Sequence, residues 1–129
     1  MLEKKFTVEK TVTADMTAKA IGSGGLEVFG TPFMLAMMEN AAMCCLQSDL
    51  AEGSGTVGIH LDVSHVAPTP VGMKVRAVAE VIHVSDNGKV VDFRVTAYDE
   101  AGLIGEGVHQ RAIIDNQRFF KKCQEKTAK

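Results

Sequence analysis

Apolar positions follow a helical period in one long stretch of the chain, between residues 31 and 50. Apolar residues stand there at positions 34, 35, 37, 38, 41, 42, 45 and 46, the spacing of one face of an amphipathic helix. Thr31 is predicted to cap the N-terminus of this helix, with Pro32 at the first helical position, where a missing N–H costs nothing. Gly53-Ser54-Gly55 is predicted to end the element.

Segments that are rich in β-branched residues surround this helix and predict strands. One strand is predicted at 4–13, and a short one at 26–29 follows a flexible GSGG loop. Four further strand patterns follow the helix, at 56–66, 73–85, 89–99 and 103–114. Short turns join these four, so we expect them to form an antiparallel meander. Residues 115–127 predict a short amphipathic terminal helix.

The order of these elements predicts an α+β fold in a single domain over residues 1–129. About five antiparallel strands of this length can wrap around one long central helix, which is the hotdog arrangement. A single sheet around one helix leaves its edges exposed, and exposed edges favour pairing between copies of the chain. We therefore expect a homodimer or a higher homo-oligomer.

Composition narrows the function classes. Hydrophobic residues make up 46% of the 129 residues and charged residues 23%, as in ordinary globular domains. The formal net charge is −2 and no basic stripe is present, which argues against a nucleic-acid partner. Three cysteines, two of them adjacent, form neither a disulfide framework nor a zinc motif, so no metal is expected. No apolar run has the length of a signal peptide or a membrane span, which predicts a cytoplasmic protein without a membrane partner.

Glu39 is the first residue with an unusual position. At about 100° per residue it falls at the edge of the helix face that carries Leu35, Met38 and Ala42. A carboxylate beside the core is costly unless it has a partner, and a general acid or base often occupies such a place. The alternative is a glutamate at the margin of a wide apolar face, with its carboxylate in solvent.

His65 and Thr31 are the next candidates. His65 ends the strand at 56–66, where alternation places it on the same face as Val57, Ile59, Leu61 and Val63. It could be catalytic or an ordinary hydrogen-bonded histidine. Thr31 could serve only as a helix cap, or its hydroxyl could use the positive end of the helix dipole to support developing negative charge. Glu39 lies about 12 Å further along the helix, so the two could cooperate only across a subunit boundary or through a substrate.

Gly58 and Arg111 complete the set of candidates. A glycine within a strand marks a bulge or allows a ligand or another backbone to come close. Arginine is the usual contact for a phosphate or carboxylate, although a surface salt bridge is the commoner role.

Three segments together resemble a known family. The segments are VFGTPFMLAMMENAA, VGIHLDVSHVAPTPVG and EGVHQRAII, and they resemble the hotdog thioesterases related to fluoroacetyl-CoA thioesterase from about residue 6 to residue 120. The resemblance implies that Thr31, Glu39 and His65 form the catalytic set, that the backbone at Gly58 lines the thioester site, and that Arg111 contacts the substrate.

The reaction that the resemblance implies is hydrolysis of a short-chain acyl-CoA to the free acid and CoA. Glu39 would act as nucleophile or as base for water, and Thr31 would either share the nucleophile role or position the reacting group. His65 would act as general base or acid. Coenzyme A enters as part of the substrate, and no cofactor is implied. In fluoroacetyl-CoA thioesterase the loop before the helix is longer and richer in aromatic residues and proline than AIGSGGLEVFG here, so a general short-acyl thioesterase is the better description.

Two other functions fit the same fold. A hydratase or dehydratase of acyl thioesters also pairs a histidine with a helix carboxylate, but the spacing of Thr31, Glu39 and His65 argues against it. A non-catalytic protein that binds acyl-CoA would keep the fold and Gly58 but would show no turnover.

Overall fold

Five antiparallel strands form one sheet, in the order β1-β3-β4-β5-β2. The computed structural model describes residues 4–128. The strands are β1 (Lys5–Thr11), β2 (Ser54–His65), β3 (Lys74–Val84), β4 (Val90–Asp99) and β5 (Gly102–Asp115). The five predicted long strands and the α+β class are confirmed, and β1 and β2 are the two edges of the sheet.

One long helix packs against a single face of this sheet. The helices are α1 (Ala18–Ile21), α2 (Thr31–Gln47) and α3 (Asn116–Gln124). Helix α2 ends three residues before the predicted end at residue 50, and α3 is followed by a 3-10 turn, Glu125–Ala128. The strand predicted at 26–29 is wrong, because Val28 and Phe29 form only isolated bridges, to Pro70 and Thr17. No helix within residues 4–128 combines the length and the apolar character that crossing a membrane requires.

The core lies between α2 and the covered face of the sheet, and most of its sheet residues belong to β3 and β4. Buried side chains alternate along both strands, as expected for a sheet with one covered face. Several of them are alanines, and small side chains let the helix lie close to the sheet. The buried apolar residues of these elements are Met34, Met37, Met38, Ala41, Ala42, Cys45 and Leu46 from α2, with Val75, Ala77, Ala79, Val81, Val91, Phe93, Val95 and Ala97 from β3 and β4.

The predicted cap of the long helix is wrong by one residue. Gly30 is the N-cap of α2, Thr31 is the first helical residue, and no side chain caps the helix. A Cβ at position 30 would lie 2.6 Å from Ile21 Cδ1 and 3.2 Å from the Met16 carbonyl oxygen. The close approach of this neighbouring segment therefore favours glycine at position 30, and the Thr31 hydroxyl is left for another contact.

The predicted meander is correct only for β3, β4 and β5. Strand β2 pairs with β5, whereas β3 pairs with β1 and β4, so the chain crosses from one part of the sheet to another between β2 and β3. The crossing segment, residues 66–73, meets the chain just before α2, where the Phe29 N–H donates to the Thr69 carbonyl at 2.8 Å. The proline-rich turn thus serves as a crossover and not as a hairpin.

A bulge divides β2 and corrects the predicted side-chain alternation. The pairing with β5 shifts between Gly58 and His60, so Ile59 has no partner in the ladder and its side chain is 50% exposed. One extra residue reverses the alternation. Leu61 and Val63 therefore share the helix-facing side with His65 as predicted, but Val57 and Ile59 do not.

Candidate active site

The start of α2 and the end of β2 bring two predicted catalytic residues into contact. Thr31 Oγ1 lies 2.6 Å from His65 Nδ1, a hydrogen bond between residues 34 positions apart in the chain. Gly105, which pairs with His65 on β5, leaves space for Met34 of α2, because a Cβ there would lie 2.6 Å from Met34 Sδ. A glycine in the adjacent strand therefore lets α2 pack closely beside the Thr31–His65 contact.

The surroundings of His65 favour its neutral form. Burial lowers the pKa of His65 below its ordinary value, and a hydrogen bond with the backbone of Ala67 offsets part of this effect. The Nε2 atom of His65 is buried and finds no hydrogen-bond partner among the described residues. A neutral imidazole with one free ring nitrogen can accept or donate a proton.

A surface cleft opens onto this pair. Its volume is about 300 Å³, at the small end of the range for ligand sites. Thr31 and His65 form part of its wall, and the rest comes from α1, the loop that follows it and the start of the crossover segment. The remaining lining residues are Ala18, Ser23, Val28, Phe29, Val66, Ala67 and Pro68.

Glu39 lies in a second cluster, at the opposite end of β2. Its Oε2 is 3.8 Å from Arg111 Nη1, and its side chain is 41% exposed whereas that of Arg111 is only 7% exposed. A Cβ at Gly58 would lie 2.5 Å from the same carboxylate oxygen. The absence of a side chain at Gly58 thus leaves space for the Glu39 carboxylate beside the β2 backbone, and of the two alternatives predicted for this glycine the bulge is present.

Arg111 is directed mainly into the protein. Its Nε donates to Thr56 Oγ1 at 2.8 Å and its Nη2 to the Thr56 carbonyl at 3.0 Å. Burial lowers the pKa of Arg111, and the charge of Glu39 acts in the opposite direction. The guanidinium stays charged over the whole physiological range. Its assignment as a substrate contact stays a prediction, and its present contacts fix one side of Glu39.

The five predicted site residues therefore form two groups on one chain, Thr31 with His65 and Glu39 with Gly58 and Arg111. His109 was not predicted from the sequence; it is buried within the second group and contacts Arg111. Alternation along β5 places His109 on the same face as Arg111, and this pattern could have identified it. Within residues 4–128 no three His, Cys, Asp or Glu side chains are grouped so that they could hold a metal ion.

Comparison with known proteins identifies the family. A model of the fluoroacetyl-CoA-specific thioesterase family matches residues 12–117. The chain belongs to this family. A fluoroacetyl-CoA thioesterase from Streptantibioticus cattleyicolor is 39% identical over 101 residues, which are 78% of this chain and 71% of that protein.

Solved structures agree with the family assignment. The crystal structure of a point mutant of the fluoroacetyl-CoA-specific thioesterase FlK matches with a TM-score of 0.90 at 32% identity, over 98% of this chain and 96% of that one. A thioesterase-superfamily protein from Thermus thermophilus matches with a TM-score of 0.87 at 29% identity, over 99% of this chain and 96% of that one. The predicted hotdog fold and the predicted class of enzyme, an acyl-CoA thioester hydrolase, are confirmed.

Proposed function

We propose that this family member hydrolyses short-chain acyl-CoA thioesters to the free acid and CoA, in a site that two subunits complete together. The observation that carries the proposal is the hydrogen bond between Thr31 and His65 at the wall of a small cleft, with the Glu39 carboxylate held apart from them on the same chain. Each group supplies part of the chemistry that thioester hydrolysis needs.

The reaction replaces the carbon–sulfur bond of the thioester by a carbon–oxygen bond. Water attacks the carbonyl carbon directly, or the Glu39 carboxylate attacks first and water then hydrolyses the resulting anhydride. In both routes an oxygen gains the acyl group, the electron pair of the broken bond leaves with the CoA sulfur, and the thiolate takes up a proton. His65 is suited to that proton transfer because burial keeps it neutral and leaves one ring nitrogen free.

The developing oxyanion requires hydrogen-bond donors, and the start of α2 offers few of them. Pro32 has no N–H, and the N–H groups of Phe33 and Met34 both point to the Gly30 carbonyl at 3.1 Å. The bulge in β2 is a better source, because it takes a residue out of the ladder beside Gly58, where no side chain blocks the backbone. We therefore assign the donors to the backbone around Gly58.

We propose a homodimer formed through the β2 edge. Strand β2 has 12 residues and pairs with β5 on one side only, which leaves a long edge that carries the half-exposed Ile59. Antiparallel pairing of two copies around Asp62, with Ile59 as the extra residue of the bulge, would set Gly58 opposite His65 of the partner subunit. A two-fold axis at that point would create two equal sites, each with Thr31 and His65 from one subunit and Glu39 from the other.

The expected substrate has a short acyl group. The cleft is small, and the core beneath α2 is filled by methionines, alanines and Leu46, which leaves little room for a long chain. We expect about a tenfold preference, at most, for fluoroacetyl over acetyl, because small differences in an apolar pocket give graded selectivity.

Cys44, Cys45 and Cys123 are all free thiols, which fits our proposal of a cytoplasmic location.

The test is a panel of acyl-CoA thioesters with a free-thiol readout. We expect kcat/KM to be highest for acetyl-CoA and butyryl-CoA and lower for octanoyl-CoA and palmitoyl-CoA. His65→Ala and Glu39→Gln should each lower kcat about 100-fold or more, as loss of a positioned acid–base group does. His83→Ala and Glu9→Gln, at exposed positions of β3 and β1, are the matched controls.

Two results would contradict the proposal. A kcat/KM that rises steadily through palmitoyl-CoA would show an open-ended pocket and not a short one. A wild-type protein that hydrolyses no thioester but hydrates enoyl-CoA, or only binds acyl-CoA, would replace the proposed reaction by one of the two other functions that fit the fold.

A further inference from the structure

His109 is a buried polar side chain that the proposed chemistry does not use. It is 1% exposed and lies on the helix-facing side of β5, next to Arg111 on the same face. Its ring stacks on Phe93 with the ring centres 6.2 Å apart. Both of its ring nitrogens make polar contacts, the Nδ1 atom with the His60 carbonyl at 2.8 Å and the Nε2 atom with Arg111 Nη1 at 3.1 Å.

These two contacts allow one protonation state. A guanidinium nitrogen can only donate, so His109 Nε2 must accept and cannot carry a hydrogen. The hydrogen is therefore on Nδ1, where the His60 carbonyl accepts it. Burial lowers the pKa of His109, the hydrogen bond to the His60 carbonyl opposes this, and the charge of Arg111 lowers the pKa further. The ring is thus neutral at pH 7, and it links the bulge of β2 to the Arg111 guanidinium.

The first feature is the bulge, and the second is the guanidinium beside the carboxylate. His60 is the residue at which regular pairing resumes after the bulge, so the Nδ1–H contact fixes the strand just beyond Ile59. Arg111 Nη1 is the same nitrogen that lies 3.8 Å from Glu39, so the Nε2 contact fixes the direction in which this nitrogen faces the carboxylate.

We propose that His109 is a positioning residue for thioester hydrolysis, which orients Arg111 toward Glu39 through Nε2 and anchors the β2 bulge through Nδ1. The inference rests on the proposed function, because it assigns His109 a part in placing Glu39 and the backbone near Gly58. His109 itself touches neither the substrate nor the reacting atoms.

Two amide variants separate the two contacts. In His109→Gln the amide reaches the place of Nε2, so its oxygen can accept from Arg111 while the contact to His60 is lost. In His109→Asn the amide reaches the place of Nδ1, so it can donate to the His60 carbonyl while Arg111 loses its acceptor. We expect His109→Asn to lower kcat about tenfold or more with KM within about twofold, because misplacement of a reacting group by a fraction of an ångström acts on turnover. His109→Gln should keep kcat within about threefold of the wild type but have the lower Tm of the two.

In this pattern His109→Asn loses more activity and His109→Gln loses more stability. A purely structural histidine would not give it, because the variant with the lower stability would then also have the lower activity. His109→Asn with kcat within about twofold of the wild type would overturn the inference. The ¹⁵N spectrum of histidine-labelled wild-type protein tests it without any substitution, and an Nε2–H form of His109 would also overturn it. Failure of the proposed function is a different result, in which the wild type itself hydrolyses no acyl-CoA of the panel.

Discussion

Two inactive variants of a dimer with shared sites should restore activity when they are combined. In a mixed dimer of one His65→Ala subunit and one Glu39→Gln subunit, one site combines both substitutions and the other has neither. The intact site receives His65 from the Glu39→Gln subunit and Glu39 from the His65→Ala subunit. We therefore expect about half of the wild-type turnover per dimer, where each homodimeric variant keeps about one hundredth or less.

The dimensions of one chain explain why the two groups are not expected to meet within it. Thr31 and Glu39 are eight residues apart on α2, about 12 Å along the axis. Along β2, the seven residues from Gly58 to His65 extend about 20 Å, with one of them in the bulge. A thioester carbonyl spans about 1.2 Å between carbon and oxygen, so groups this far apart on one chain cannot both contact it.

The assay needs mixed dimers of defined composition. Two affinity tags, one on each subunit, allow co-expressed mixed dimers to be purified in sequence, and the free-thiol assay then measures turnover. A second mixed dimer provides the reverse control, with one wild-type subunit and one subunit that carries both His65→Ala and Glu39→Gln. Both dimers contain the same two substitutions, but in the second one every shared site has lost one group, so we expect it to be inactive.

The two mixed dimers also define the result that would refute the reasoning. If each site lay within one chain, the first mixed dimer would be inactive and the second would keep about half of the wild-type turnover. A monodisperse monomer in sedimentation, with full activity, would refute the shared site in a simpler way. Neither result would challenge the hydrolase chemistry, which the substrate panel tests separately.

Three further predictions follow from contacts in and around the site. Gly58→Ala should lower kcat about tenfold or more, because its Cβ would lie 2.5 Å from Glu39 Oε2 and would displace the carboxylate. Thr69→Val should lower the free energy of unfolding by about 1–3 kcal/mol at pH 7, because the nearly buried Asp99 carboxylate loses its 2.7 Å hydrogen bond; urea unfolding measures this. Burial lowers the pKa of His65, so the acidic limb of the kcat profile, governed by neutral His65, should lie below the ordinary value of about 6.5.

Matched variants control these predictions. Gly25→Ala introduces a Cβ with no atom within 4 Å and should leave kcat unchanged. Thr96→Val, on the uncovered face of β4, should change stability little. A wild-type level of kcat in Gly58→Ala, an unchanged unfolding free energy in Thr69→Val, or an acidic limb above pH 6.5 or so would each contradict the corresponding prediction.

The acid dependence of stability gives Thr69→Val a second readout. Burial acts to raise the pKa of Asp99, but hydrogen bonds from Thr69 and from the N–H groups of residues 101 and 102 hold it below its ordinary value. A carboxyl whose folded pKa is lowered stabilises the protein above its unfolded pKa of about 3.9, and this contribution is lost as the pH falls through the folded pKa. Thr69→Val should therefore make the loss of stability below about pH 4 less steep.

Long elements and the family spacing were predictable from sequence because they depend on local patterns. The helix at the centre of the fold repeats its apolar positions over about four turns, and the connections between the four strands that follow it contain glycine, proline or asparagine. Glu39 was singled out by its place on the helix face and His65 by strand alternation, and the family resemblance grouped them with Thr31; the structure places each of them on the predicted element. The predicted cap was wrong because the helix begins one residue earlier, with Gly30 as its N-cap, where the segment from Met16 to Ile21 lies close to the backbone.

Strand order and the bulge were not predictable from local patterns. A crossover of eight residues between β2 and β3 has the same proline and glycine signals as a hairpin, and only the pairing of β2 with β5 distinguishes them. Alternation around Ile59 looks unbroken in the sequence, because Val57, Ile59 and Leu61 are all apolar. Alternation along β5 indicates the face on which His109 lies, but its contact with His60, which is 49 residues away, does not follow from the local sequence.

The bulge explains how Gly58 and His65 can serve the same face of the sheet. The two residues are seven positions apart, and an odd separation in a regular strand would send them to opposite faces. The extra residue at Ile59 returns Gly58 and His65 to the same face, the one that α2 covers. Gly58 therefore lies beside Glu39 of α2, and His65 reaches Thr31 of α2. A two-fold axis between them would then bring each end of β2 to the opposite end of its copy. In this arrangement the bulge at Ile59 allows one edge strand, β2, to supply residues to both halves of a shared site.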